Sequence, residues 1–208
     1  GASVTATPSS TTTYIVTGTS NGCTATAQVT VTINPVPVVT VSPNVSMCAG
    51  QNTVLTANGA TTYSWSPATG LSATTGASVT ATPASTITYT VTGTTSGCSA
   101  SAQVTLTINP IPSVTVSPSI ALCAGQNTTL TANGASTYSW SPATGLSSTT
   151  GASVTATPSL TTTYIVTGTS SGCSATAQVT VTVNPVPVVT VSPDIQICNG
   201  QNTVLTAA

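Results

Sequence analysis

Six cysteines are the residues of this chain best equipped for chemistry. They stand at Cys23, Cys48, Cys98, Cys123, Cys173 and Cys198, so intervals of 25 and 50 residues alternate. Zinc sites draw ligands from close pairs such as C-x2-C, often with histidine, and the chain has neither. A reactive thiolate needs a cation or a partner histidine beside it, and there is no Lys, Arg or His. Buried thiols or disulfides remain. An even count at regular spacing in small β domains points to a disulfide framework and an oxidising compartment.

Other chemistry finds few carriers. General acid–base catalysis needs a group that titrates near the working pH. The chain has no Glu and a single acid, Asp194, whose counterparts one and two periods earlier are Ser119 and Asn44. The abundant Ser and Thr hydroxyls have no side-chain base to activate them. The reading is therefore no enzyme, no catalytic residue, no cofactor and no metal; one carboxylate is too few for a calcium site. Nucleic acid is excluded as a partner, because phosphate binding rests on Lys and Arg. Membrane insertion is not expected, since Thr or Ser interrupts every apolar run well short of about 18 residues. A transmembrane barrel would also alternate, but would not normally carry regularly spaced cysteines. The sequons Asn44-Val45-Ser46 and Asn127-Thr128-Thr129 fall at different positions of the repeat and read as chance matches. O-linked glycan on the Ser/Thr faces is the more serious expectation.

The elements that position these residues are strands. An ordinary soluble domain is about 25% charged; here 50 threonines among 208 residues take that place. Val and Thr favour a pleated, half-buried surface, so disorder is not expected. GASVTATP begins at Gly1, Gly76 and Gly151, and GQNT at Gly50, Gly125 and Gly200, each 75 residues apart. A period of that length describes an array of small domains. In Asn184-Pro185-Val186-Pro187 two prolines fix φ and remove ladder donors, so one sheet stops and another begins. The semi-rigid linkers are Pro35 and Pro37, Pro110 and Pro112, and Pro185 and Pro187. The expected domains are 36–110 and 111–185 complete, with 1–35 the back half of one repeat and 186–208 the front part of another. The sequence thus reads as a window on a longer tandem chain.

Within one period, strands are expected near Val38–Val41, Val45–Cys48, Thr53–Ala57, Thr62–Ser66, Ala77–Thr82, Ile87–Gly93 and Ser99–Ile108. Their spacing is that of a sandwich. Tyr63 and Trp65 share a face and are the expected aromatic centre of the core, as are Tyr138 and Trp140. Ser20-Asn21-Gly22-Cys23 signals a tight hairpin with a type I′ turn. Two cysteine pairings stay open. Pairing within a domain joins Cys48 to Cys98 and Cys123 to Cys173, leaving Cys23 and Cys198 to partners outside the fragment. Pairing across the linkers joins Cys23 to Cys48, Cys98 to Cys123 and Cys173 to Cys198. The marginal core of a small domain favours the first, since closing such a loop contributes roughly 4 kcal/mol in the chain-entropy picture.

Cys48-Ala-Gly-Gln-Asn-Thr-Val-Leu-Thr-Ala, Tyr63-Ser-Trp-Ser-Pro, Ile87-Thr-Tyr-Thr-Val-Thr-Gly and Gly97-Cys98 before an alternating last strand together resemble the tandem Ig-like/PKD-like repeats of Bacteroidota type IX-secreted cell-surface adhesins, including gliding adhesins. The resemblance implies an all-β fold of tandem Ig-like sandwiches, an intradomain Cys48–Cys98 bridge, and a stalk or adhesive role outside the cell. The chain departs from the resemblance in its near absence of charge, which speaks against a calcium-stiffened stalk. Two functions follow as expectations. One is an extracellular fibre or stalk of stapled modules, associating laterally with other copies or coated in glycan. The other is a surface-binding module whose Thr-x-Thr faces, such as Thr5-Ala-Thr7, meet polysaccharide or ice.

Overall fold

The structure is a computed structural model that describes residues 3–208; Gly1 and Ala2, the start of the first half-repeat, lie outside the described residues. Every regular element among those residues is a strand. The chain divides into two compact units, Gly1–Pro110 and Ile111–Ala208.

The first unit opens with a hairpin, β1 (Thr12–Ser20) and β2 (Cys23–Val31). Asn21 and Gly22 turn it with φ of 49° and 83°, the left-handed pair that a type I′ turn requires. After the break holding Pro35 and Pro37 come β3 (Thr40–Val41), β4 (Val45–Cys48), β5 (Thr53–Asn58), β6 (Thr62–Ser66), β7 (Ser78–Ala81), β8 (Ile87–Thr95) and β9 (Cys98–Asn109). They form two sheets, ordered β3-β5-β7 and β4-β9-β8-β6. Neighbours run antiparallel except β4, which lies parallel to β9 with Cys48 opposite Asn109. Two facing sheets in this order, with a first strand shared between them, make an Ig-like sandwich. Leu71 adds a single bridge beside Ala81, a trace of a fourth strand on the smaller sheet.

The second unit repeats the design with β10 (Thr115–Val116), β11 (Ile120–Cys123), β12 (Thr128–Asn133), β13 (Thr137–Ser141), β14 (Ser153–Ala156), β15 (Thr162–Ser170) and β16 (Cys173–Asn184). Its sheets are ordered β10-β12-β14 and β11-β16-β15-β13. Beyond the break at Pro185 and Pro187, Val191 bridges Ala207. The same pairing joins Val41 to Ala57 and Val116 to Ala132.

Alternation puts hydrocarbon inside. Leu55, Ala57, Trp65, Val79, Ala81, Tyr89, Val91, Val104 and Leu106 form one core, and their counterparts from Leu130 to Val181 form another. No polar or charged residue is buried among the described residues. The hairpin shows what the second sheet contributes: Val16 is 66% exposed and Val29 62%, whereas Val91 and Val104, one period on, are fully buried.

Candidate functional site

The side chains singled out by the sequence fall into two places, the core and the ends of each repeat. In the core, Trp65 donates its Nε1–H to Gly76 O at 2.9 Å, and Trp140 does the same to Gly151 O. Tyr63 and Tyr138 pack only partly buried against the two cores, their hydroxyls accepting from the amides of Ala60 and Ala135 at 2.7 Å. The sequence reading missed the deepest aromatics. Tyr89 and Tyr164 are fully buried and donate to Thr69 O (2.6 Å) and Thr144 O (2.8 Å). Burial raises the hydroxyl pKa of both. Each stands near the start of its strand and ties it to backbone upstream, as the tyrosine corner of Ig domains does. Val91, two residues on, takes the place where antibody domains carry a cysteine. The core therefore has no sulfur bridge between its sheets.

The cysteines lie at the ends instead. Cys48 ends β4 beside Asn109, the last residue of β9. Cys98 begins β9, paired with Thr95 across the β8–β9 turn. Twelve strand residues separate those two ends, about 36 Å at 3.3 Å per residue. A disulfide needs Cα atoms roughly 4.4–6.8 Å apart. The expected Cys48–Cys98 bridge is therefore corrected, and Cys123–Cys173 with it, because β11 sets Cys123 opposite Asn184 while Cys173 begins β16. The sulfurs agree: Cys98 and Cys123 are free thiols, as are Cys23 and Cys198, while Cys48 and Cys173 are disulfide-bonded. Pairing across the linkers is corrected by the same facts, since each of its three bridges uses at least one free thiol.

Around Cys98 the two repeats of the first unit meet. Asn34, just before Pro35, donates its Nδ2–H to Ser96 O at 2.8 Å. The Cys98 Sγ lies 3.5 Å from Asn34 O. At the other end of the sandwich, Gln51 Oε1 accepts the Cys48 amide at 3.0 Å and Asn109 Nδ2 donates to Ser46 Oγ at 3.1 Å. The prolines fall in the breaks between repeats: Pro35 and Pro37 between β2 and β3, Pro110 and Pro112 between β9 and β10, Pro185 and Pro187 after β16.

The position of the lone acid has a structural use. Asn44 Oδ1 accepts from Thr105 N at 2.8 Å, and Ser119 Oγ accepts from Thr180 N at 3.0 Å. Asp194 is the third residue of that series by position, one period after Ser119, and no strand follows it among the described residues. On the strand faces some hydroxyls pair across neighbouring strands. Thr13 pairs with Thr30, Thr88 with Thr105 and Thr163 with Thr180 at 2.8–2.9 Å, each hydroxyl engaged by its cross-strand partner. Among the described residues, no three His, Cys, Asp or Glu side chains gather as a metal site would require, and no helix is long and apolar enough to cross a membrane.

Residues 111–185 match the family model described as "Ig-like domain CHU_C associated". No curated protein sequence matches the chain. Among solved structures, the chain is similar to titin domains I67–I69, at 12% identity over 81% of this chain and 83% of that one, with a TM-score of 0.47. It is also similar to extracellular domains 3–5 of Drosophila OTK, at 9% identity over 84% and 71%, TM-score 0.47. Immunoglobulin domains 1–4 of Sidekick-1 share 20% identity over 86% and 60%, TM-score 0.42.

Proposed function

We propose that this chain is a length of extracellular stalk: Ig-like modules in tandem, joined by proline linkers, giving reach and shape without turnover. One observation carries the reading. A 75-residue period folds as a sandwich that closes its own hydrocarbon core, once in 36–110 and again in 111–185. Such modules add length by repetition, and each keeps its stability when more are added. The match of 111–185 to an Ig-like family supports the same role, and two disulfide-bonded cysteines suit an oxidising exterior.

The surface supports a second clause of the proposal. The edge strands β3, β4, β6 and β7 run only two to five residues, which limits pairing at the edges. The uncharged Ser/Thr faces of the longer strands are where other copies or O-linked glycan attach. Electron microscopy of secreted chains with two, four and eight repeats tests both clauses. Contour length is expected to grow linearly, by roughly 35–50 Å per repeat from the strand rise and linker. Compact particles whose size does not track repeat number would refute the stalk. Bundles, or strings bearing sugar mass, are the expected surface behaviour; bare, dispersed single strings would remove the second clause alone.

A further inference from the structure

The linker between the hairpin β1–β2 and the first sandwich is fastened at both ends. On the hairpin side, the Ile33 amide donates to Thr11 Oγ1 at 3.1 Å, holding the chain beside the start of β1 after β2 has ended. The same tie recurs inside each sandwich, from Ile108 to Thr86 and from Val183 to Thr161, both at 3.0 Å. On the sandwich side, Val39 packs against the core, and a Cβ at Gly59 would strike the Val38 carbonyl. Residues 34–37 lie between these two holds.

Asn34 is where the slack is lost. The turn from β8 to β9 is Ser96-Gly97, with φ of 49° and 84°, the type I′ pattern. Thr95 and Cys98 pair across it, so the Ser96 carbonyl takes no part in the ladder. It accepts instead from Asn34 Nδ2 at 2.8 Å. The Cys98 thiol, a weak donor, lies 3.5 Å from the Asn34 carbonyl. One linker residue thus meets one turn of the next repeat through both its side chain and its backbone. It directly follows Ile33, so the hold on the hairpin and the hold on the sandwich fall on adjacent residues. Preceding Pro35, Asn34 is restricted to extended backbone, and Pro35 and Pro37 have fixed φ. A lone exposed hydrogen bond is a modest net force. It suffices to fix an orientation here because the prolines have already removed most of the alternatives.

We propose that Asn34 is the positioning residue of a rigid joint, setting the orientation of the hairpin on the sandwich 36–110. Proline stiffness alone would hold the linker extended and leave its ends free to swivel; the Asn34 clamp removes the swivel. All of these contacts lie within Gly1–Pro110, and the joint holds whether or not the chain serves as a stalk.

Residual dipolar couplings of backbone amides, measured by NMR on the weakly aligned 208-residue chain, test it. A rigid joint gives β1 and β2 the same alignment tensor as β4 to β9. Nuclear Overhauser contacts from the Asn34 side-chain amide to the Ser96-Gly97 turn are expected in the same sample. Both readings are made on the unaltered chain and need no variant to fold. Asn34→Ala removes the donor, and Asn34→Asp replaces it with a carboxylate that only accepts. Both should lose the common tensor, while the couplings of each part still fit a tensor of their own. Ser96→Asn keeps the backbone acceptor and suits the turn, so it should keep the common tensor. Separate tensors in the unaltered chain, absence of the Asn34 contacts, a common tensor retained in either Asn34 variant, or its loss in Ser96→Asn would each overturn the joint.

Discussion

Tyr89 does more than fill space. Its ring is fully buried and its hydroxyl closes a 2.6 Å hydrogen bond on Thr69 O, holding the long loop between β6 and β7 against β8. Tyr89→Phe keeps the ring and removes the donor. Leaving a carbonyl without its partner costs about 1–3 kcal/mol, and urea unfolding of the variant should show a loss in that range with the fold retained. Tyr164→Phe should repeat the loss at Thr144 O. These tyrosines were hard to rank from sequence, because Ile87-Thr-Tyr-Thr-Val alternates as regularly as every other strand. Trp65 announces itself by size, whereas Tyr89 is distinguished by a backbone acceptor 20 residues away, which no local pattern reveals.

At the scale of the element, β8 carries a glycine where a strand would ordinarily prefer a side chain. Gly93 pairs with Tyr63. A Cβ there would stand 2.6 Å from Val39 Cγ2, 2.7 Å from Ala60 Cβ and 3.3 Å from Tyr63 Cε1. The missing side chain lets three neighbours close over the strand. Gly93→Ala overfills a packed site, a class of change that costs typically 1–3 kcal/mol. The equivalent change at Gly18 would meet only Ala25 O, at 4.0 Å, and should leave stability nearly unchanged. Thermal denaturation of the two variants compares them directly. The strands themselves were legible: all seven expected in residues 36–110 are present, because Thr/Val alternation and Gly/Pro breaks are local signals. Pairing partners were not. The parallel register of β4 on β9 links residues about 60 apart, and that register separates Cys48 from Cys98. A plausible staple between the two was therefore wrong for a reason visible only in the sheet order.

For the whole molecule, scarcity of charge sets the response to pH. Acid unfolding mostly reflects paired carboxylates and buried neutral histidines that must take up protons. With no Glu, no His and a single Asp, this chain has almost nothing of that kind to titrate. Tyr89 and Tyr164 act at the alkaline end, where burial raises their pKa above the ordinary 10.0. Below that value both folded and unfolded chains hold the phenolic proton, and stability does not vary through these groups. Above it the unfolded chain releases protons that the folded one retains, so folding weakens as pH rises. Melting temperature measured by circular dichroism should stay nearly level from about pH 3 to 9 and fall beyond about pH 10. A steep decline on the acid side would contradict this.

The two hydrocarbon cores share no residue. A tandem assembled in this way fails piecemeal. Heat or tension that opens one bead leaves the next intact, and the opened length refolds from its own sequence without consulting its neighbours. In the stalk proposed above, damage would then stay where it occurs, and the chain would give way by increments rather than snapping at its weakest point.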